Sequence, residues 1–258
     1  MNIESNLIHA IIPARAGSKA IKNKNIIPVL GKPLIAWSIE LALQSKLIDE
    51  VFVSTDSSKI QSIAKHYGAK APYTRPKKIS GDNSIDIEFI KYHIDWLDKN
   101  NFSIPNAIVH LRPTGPARCL SDLNDAVSII KKNPKLTGLK SISLAKNTPY
   151  KMWIDNKNII EPLLKLNTLN EFEESHYLPR QSLPKVYWQN GYIDIIKTET
   201  VINLNSMVGK NCYGLKTSQL VSDLDYLSDL PEIENFLTKI SNNKIQTMLV
   251  SESDIHSV

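Results

Sequence analysis

Four cations crowd into one loop near the start of the chain: Pro13-Ala14-Arg15-Ala16-Gly17-Ser18-Lys19-Ala20-Ile21-Lys22-Asn23-Lys24-Asn25. The apolar run before it, Leu7 to Ile12, predicts a buried strand. Backbone N–H groups near Gly17 can meet phosphate oxygens while Arg15 and a lysine neutralise them, so the loop suits a triphosphate. It lacks both the G-K-[ST] ending of a Walker A loop and the G-x-G-x-x-G pattern. A solvated basic loop would have the same composition; its place at a strand end favours a ligand. The second candidate is Ser222-Asp223-Leu224-Asp225. Aspartates at i and i+2 of an extended segment share a face, where they can hold a hard divalent cation such as Mg²⁺. Chance surface pairs of this kind are common. Together, the two features fit nucleotidyl transfer, which needs cations for the leaving pyrophosphate and a carboxylate-held metal at the reacting phosphate.

The elements that must position these residues alternate. Helical spacing runs from Pro33 through Ile35, Ile39, Ala42 and Leu43 to Ser45, and Val51 to Ser54 predicts a second strand. Ser57 is placed to cap a helix that Gly68 stops. A helix over Ile87, Ile90, Ile94 and Leu97 precedes a strand at Ala107–Leu111. Ser121 is expected to cap the next helix, and Gly138–Leu144 is the fourth strand. This rhythm predicts a doubly wound, mainly parallel sheet with ligand loops at the strand C-termini. It breaks between residues 147 and 185, where Pro149, Pro162, Pro179 and Pro184 mix with Tyr150, Trp153 and Tyr177, so an arm or hairpin leaving the sheet is expected there. Strands at Val186–Ile196 and Asn211–Leu215 and a helix opened by Pro231 follow. Residues 1–146 and 186–258 thus read as one nucleotide-binding α/β domain interrupted by that arm.

With 258 residues, 42% of them hydrophobic, the chain can bury a core, which excludes intrinsic disorder. A net charge of +5 suits an anionic small molecule; no nucleic-acid module or concentrated basic helix accompanies it. Two cysteines, Cys119 and Cys212, form no disulfide framework or metal knuckle. No secretory signal or membrane span is visible, and a cytoplasmic, soluble protein is expected. The six histidines have no ligand spacing, and Ser54-Thr55-Asp56 suits a ligand loop or a helix-entry turn equally.

Taken in series, several motifs resemble the acylneuraminate (CMP-sialic acid) cytidylyltransferase family. They run from Ile12-Pro13-Ala14-Arg15-Ala16-Gly17-Ser18-Lys19 and Gly31-Lys32-Pro33-Leu34 through Arg75-Pro76 with Ser80-Gly81-Asp82 and Pro113-Thr114-Gly115-Pro116-Ala117-Arg118. They end with Pro179-Arg180-Gln181-Ser182-Leu183-Pro184, Asn190-Gly191 and Asp223-Leu224-Asp225. The resemblance implies a Rossmann-like nucleotidyltransferase that joins CTP to a carboxylated nonulosonic sugar and releases pyrophosphate, with Mg²⁺ as cofactor. Ala14, Arg15, Gly17, Ser18, Lys24, Asn25, Arg75 and Ser84 then fall at the nucleotide, with Arg15, Lys24 and Asp225 catalytic. Asp223 and Asp225 would hold the metal, and Arg112, Thr114, Arg180, Gln181, Asn190 and Asp194 would face the sugar. The 147–185 segment would dimerise the enzyme and carry Arg180 into the partner subunit's site. Related readings are a pseudaminate, legionaminate or 3-deoxy-octulosonate cytidylyltransferase; more distant ones are a D-x-D glycosyltransferase and a catalytically silent nucleotide-binding module.

Two positions depart from the family pattern. Arg112 stands where glutamine is common before Pro-Thr, and Asp194 where tyrosine is common after Asn-Gly. One adds a positive charge and the other a negative one. Pairing would offset the desolvation of both, so a charge pair lining the sugar pocket is expected. Two unrelated solvated substitutions are the plainer alternative.

Overall fold

The structure, a computed structural model, describes residues 2–18, 20–164, 174–218 and 223–250. Its strands are β1 Ile3–Pro13, β2 Pro28–Val29, β3 Lys32–Pro33, β4 Glu50–Ser54, β5 Ile104–His110, β6 Gly138–Leu144, β7 Trp153–Asn156, β8 Ile159–Pro162, β9 Tyr187–Lys197 and β10 Cys212–Lys216. The α-helices are α1 Leu34–Gln44, α2 Ser58–His66, α3 Asp86–Lys99, α4 Leu120–Lys132, α5 Thr198–Leu204 and α6 Leu230–Ser241.

Six strands form the central sheet in the order β10-β6-β9-β5-β1-β4. β1 runs parallel to β4 and β5, and β10 parallel to β6, while β9 is antiparallel to both neighbours. The expected mainly parallel sheet is therefore present, with one reversed strand inside it. Alternation along the strands divides the core. Ile8, Ala10 and Ile12 of β1 and Ala107 and Val109 of β5 pack into the larger cluster with α1 and α4. Ile11, Ile104 and Ile108 point the other way, onto Phe89, Ile90, Ile94 and Leu97 of α3. Period-two strands buried on both faces make a three-layer α/β/α domain.

A third, smaller cluster joins Ile21 of the basic loop, Val29, Leu34, Leu224 and residues Ile233, Phe236 and Leu237 of α6. Leu224 is fully buried, which anchors the segment carrying both aspartates against the basic loop. Removing such a side chain leaves a cavity costing about 2–5 kcal/mol.

Local expectations are met with one exception. The Ser57 hydroxyl accepts from Ile60 N at 3.4 Å and caps α2, and Gly68 ends that helix at φ +91°. Ser121 does not cap α4. Cys119 is the N-cap, without a side-chain bond, and the Ser121 hydroxyl instead donates to the Gln246 carbonyl of the C-terminal segment. α5 has no counterpart in the expected elements; its apolar positions, Val201 among them, are too few in seven residues to show a period.

Within 147–185 the described residues include the hairpin β7–β8, antiparallel from Trp153↔Pro162 to Asn156↔Ile159. Lys157 and Asn158 turn it with φ of 56° and 73°, both positive as a tight two-residue hairpin turn requires. Trp153, Ile154, Ile159 and Ile160 all stand exposed on it.

Candidate active site

β1, β4 and β5 end together. Pro13 aligns with Ser54 of β4, and Ile11 with His110 of β5, so the loops after these strands meet at one end of the sheet. β1 lies between strands reached in opposite directions, the topological switch point where open α/β sheets bind ligands. A cleft of about 290 Å³ opens there, near the lower end of small-molecule pockets. Arg15, Ser18, Lys24, Asn25, Arg75, Ser84, Arg112 and Thr114 all line it.

The basic loop is pinned by its own side chains and by β4. Ala14 N donates to Ser54 O at 2.9 Å, and Ala16 N to Asp56 Oδ1 at 2.8 Å. Asn25, buried in a short 3₁₀ turn, donates from Nδ2 to the Arg15 carbonyl at 3.0 Å. Arg15 Nη1 contacts Asp82 Oδ1 at 2.7 Å. Gly17 is exposed, and a Cβ placed on it would meet no atom within 4 Å. Lys19 lies outside the described residues. Lys24 Nζ donates to the Leu224 carbonyl at 2.6 Å and lies 3.3 Å from Asp225 Oδ1.

Arg75 reaches the cleft because its segment runs beside β4: Thr55 and Thr74 bridge, and Arg75 N donates to Thr55 O at 2.7 Å. Its guanidinium lies 5.5 Å from the Phe89 ring, and its Nε has no hydrogen-bond partner among the described residues. Burial depresses its pKa, with Asp56 acting in the opposite direction. The Ser84 hydroxyl accepts from Gly81 N at 3.0 Å, closing the turn that enters α3.

Asp223 and Asp225 flank the anchored Leu224, whose N–H donates to Thr114 O at 2.8 Å. Asp225 is exposed and Asp223 half-buried. Burial raises the Asp223 pKa, with Arg118 working against it. A Cβ on Gly115 would approach Asp223 Oδ1 to 2.9 Å, so glycine there leaves room for the carboxylate. Two carboxylates offer the hard oxygen donors that suit Mg²⁺. Among the described residues no three His, Cys, Asp or Glu side chains converge on one metal position. Mg²⁺ commonly completes its shell with water and substrate phosphate. Ser222 lies outside the described residues.

The departing residues do pair. Arg112 Nη1 donates to Asp194 Oδ2 at 2.9 Å, and Nη2 to Asp86 Oδ2 at 2.8 Å. Lys140 Nζ reaches the same Asp194 oxygen at 3.1 Å, and Gln189 Nε2 donates to it at 3.0 Å. Burial works against the Asp194 charge, but Lys140, His110 and Arg112 outweigh it and lower the pKa. Buried Arg118 donates to the Arg112 carbonyl at 2.8 Å and steadies the backbone beneath the pair.

Other expected sugar contacts lie elsewhere. Arg180 and Gln181 line a separate cavity with Ala145 and Leu183, and Arg180 Nη2 donates to Ala145 O at 3.3 Å. Asn190 is buried. Its Nδ2 donates to Ser143 and Thr217 hydroxyls at 2.7 and 2.6 Å, while its Oδ1 accepts from Ser141 Oγ and Tyr192 N. With both N–H groups and its oxygen engaged, this amide joins β6, β9 and the end of β10. Asp86 and Lys140 are participants that motif reading passed over, for they have no local signal. Asp56, which the sequence left open between a ligand loop and a helix-entry turn, holds the basic loop at Ala16 N.

Such a strand-end cleft, with convergent cations and two nearby aspartates on an α/β sheet, has the parts that a nucleotidyltransferase needs. A family model described as cytidylyltransferase matches residues 9–203, and the chain belongs to that family. It is 32% identical over 204 residues to an N-acylneuraminate cytidylyltransferase of Escherichia coli, covering 79% of this chain and 45% of that protein. The chain thus spans less than half of that relative's length. It is 34% identical to a pseudaminic acid cytidylyltransferase of Campylobacter jejuni, covering 90% of this chain and 96% of the other. The fold is similar to that of a CMP:2-keto-3-deoxy-manno-octonic acid synthetase solved with CTP, at a TM-score of 0.65 and 16% identity, covering 90% and 99% of the two chains. Among the described residues, no helix is long and apolar enough to cross a membrane.

Proposed function

We propose that this chain uses CTP to convert a carboxylated nonulosonic sugar of the sialic-acid type to its CMP-sugar, releasing pyrophosphate. The observation that carries the reading is the convergence of Arg15, Lys24 and Arg75 on one strand-end cleft whose other wall holds Arg112 and Thr114. Arg15 and Lys24 neutralise the triphosphate, and Ala14, Gly17 and Ser18 offer backbone to it. Asn25 fixes the loop from behind. The acceptor enters from the Arg112 side, and in-line attack of its anomeric hydroxyl on the α-phosphorus expels pyrophosphate. Mg²⁺, when held by Asp223 and Asp225, supplies Lewis-acid polarisation of the phosphate and lowers the pKa of the attacking hydroxyl. Lys24, bridged to Asp225 and the Leu224 carbonyl, keeps the metal-binding segment beside the phosphate loop.

Similarity along 96% of the Campylobacter jejuni relative favours pseudaminic acid as the acceptor to try beside N-acetylneuraminic acid. Pyrophosphate release with CTP, Mg²⁺ and a panel of nonulosonic acids tests the reading; no release with any of them overturns it.

The enzyme works as a homodimer in the cytoplasm. Exposed apolar side chains on β7–β8, Trp153 and Ile160 on one face and Ile154 and Ile159 on the other, support the dimer, since exposed apolar surface marks an interaction site. Arg180, outside its own chain's cleft, is then placed to serve the partner subunit's sugar site.

A further inference from the structure

Arg112, the cation nearest the expected sugar side, already faces two acids, and the two are unlike. Asp194 is 1% exposed and shares its Oδ2 with Lys140 and Gln189, so it belongs to the protein's interior. Asp86 is 42% exposed at its side chain and lines the cleft. The set Arg112, Lys140, Asp194 and Asp86 is neutral by formal charge. An incoming anion therefore finds no uncompensated cation at Arg112, and it meets the Asp86 carboxylate as well. What the set offers a ligand is an acceptor: Asp86 Oδ2 is held by Arg112 at 2.8 Å, which orients the carboxylate toward the cleft. Behind Asp86 lies buried His110, whose Nδ1 is 3.9 Å from Asp86 Oδ2; among the described residues neither of its ring nitrogens nor Asp194 Oδ1 has a hydrogen-bond partner.

We propose that Asp86 is a specificity-determining residue for the acceptor sugar: its carboxylate accepts a hydrogen bond from a hydroxyl or amide N–H of that sugar. Arg112 and Asp194 are positioning residues that act through it. Asp194 fixes one end of the guanidinium, the guanidinium fixes Asp86, and Lys140 keeps Asp194 ionised within the interior. The arrangement selects sugars with a donor at that point and rejects those with a second acid or a bare methylene. This deepens the reading above and rests on it, because it takes the Arg112 side of the cleft as the acceptor side.

Steady-state kinetics of pyrophosphate release test it, with CTP, Mg²⁺ and either N-acetylneuraminic or pseudaminic acid, on wild type, Asp86→Ala, Asp86→Glu and Arg112→Gln. A buried hydrogen bond to a charged partner corresponds to roughly ten- to a hundredfold in affinity. Asp86→Ala should raise the KM for the sugar by about that factor, leave the KM for CTP within about threefold, and keep the melting temperature of the wild type. Asp86→Glu should recover part of the loss, and Arg112→Gln should copy Asp86→Ala. Loss of CTP affinity in Asp86→Ala would assign the residue to the nucleotide instead. An unchanged KM for the sugar would overturn the proposal while leaving the cytidylyltransferase reading intact. A wild-type enzyme inactive on the whole panel of nonulosonic acids would refute that reading itself, and the assignment of Asp86 with it; a wild type active only on another member of the panel moves the Asp86 kinetics to that sugar.

Discussion

Lys24 and Asp225 lie 201 positions apart in sequence and 3.3 Å apart in space. Lys24 also holds the carbonyl of Leu224, so the basic loop after the first strand is tied to the segment carrying both aspartates. Phosphate loop and candidate metal site are thereby held side by side.

Replacing Asp225 with asparagine keeps the size of the side chain and removes its charge. Because the residue is exposed, and exposed ion pairs contribute only about 0–1 kcal/mol, the melting temperature should change little. Mg²⁺-dependent CMP-sugar formation should fall by roughly 10²–10³. Turnover equal to wild type would remove Asp225 from the metal site.

Gly17 has open space where a Cβ would go, so Gly17→Ala should leave stability unchanged. If the backbone meets phosphate there, the added methyl intrudes on the nucleotide and kcat/KM for CTP should drop about tenfold or more. A fully active variant would show that the triphosphate passes elsewhere.

Two buried histidines make the fold sensitive to acid. Burial lowers the His9 pKa to about 4 and the His93 pKa to about 3, and His9 adds to the shift at His93. Both are neutral in the folded protein and must stay so. Their stabilising effect is complete above the unfolded pKa near 6.5 and is lost as the pH falls through the folded values. For His9 alone the loss is on the order of 3 kcal/mol. Chemical denaturation between pH 7.5 and 4 should show it, with a shallower decline in His9→Gln. Parallel profiles for the two proteins would contradict the assignment.

Tyr192 joins three elements: its hydroxyl accepts from Cys119 N and donates to Asp122 Oδ2, each at 2.8 Å. Asp122 Oδ2 also accepts from Met248 N at 2.8 Å, so the C-terminal segment is clasped to α4 through the same carboxylate. Tyr192→Phe strands a buried N–H and weakens this clasp. About 1–3 kcal/mol of destabilisation is expected, read as a lower urea midpoint at unchanged slope. An unmoved midpoint would mean that water replaces the hydroxyl.

Ile159 is 74% exposed on the hairpin. If β7–β8 seals a dimer, Ile159→Glu should convert it to monomer in sedimentation velocity and lower activity as Arg180 leaves the neighbouring site. A wild-type protein that sediments as a monomer at micromolar concentration would exclude this role for the hairpin.

The sequence by itself determined the parts whose cause is local. Period-two and period-3.6 apolar patterns placed the cores of all six central strands and of α1, α2, α3, α4 and α6, because side-chain direction follows directly from backbone repeat, and the prolines that break the rhythm marked the hairpin-bearing excursion. The cation-rich loop and the paired aspartates were legible as residue types, and opposite charges at the two departing positions sufficed to expect that Arg112 and Asp194 meet. Tertiary structure decided the rest. β9 runs against both neighbours, a matter of connection and not of pattern, and its register with β5 sets Asp194 opposite His110. The register of β9 with β6 sets Lys140 opposite the same Asp194, Asp86 reaches Arg112 from α3, and Asn190 falls where the fold uses every polar atom of its amide. Long-range electrostatic partners have no spacing rule in sequence, since only the folded sheet brings their strands together.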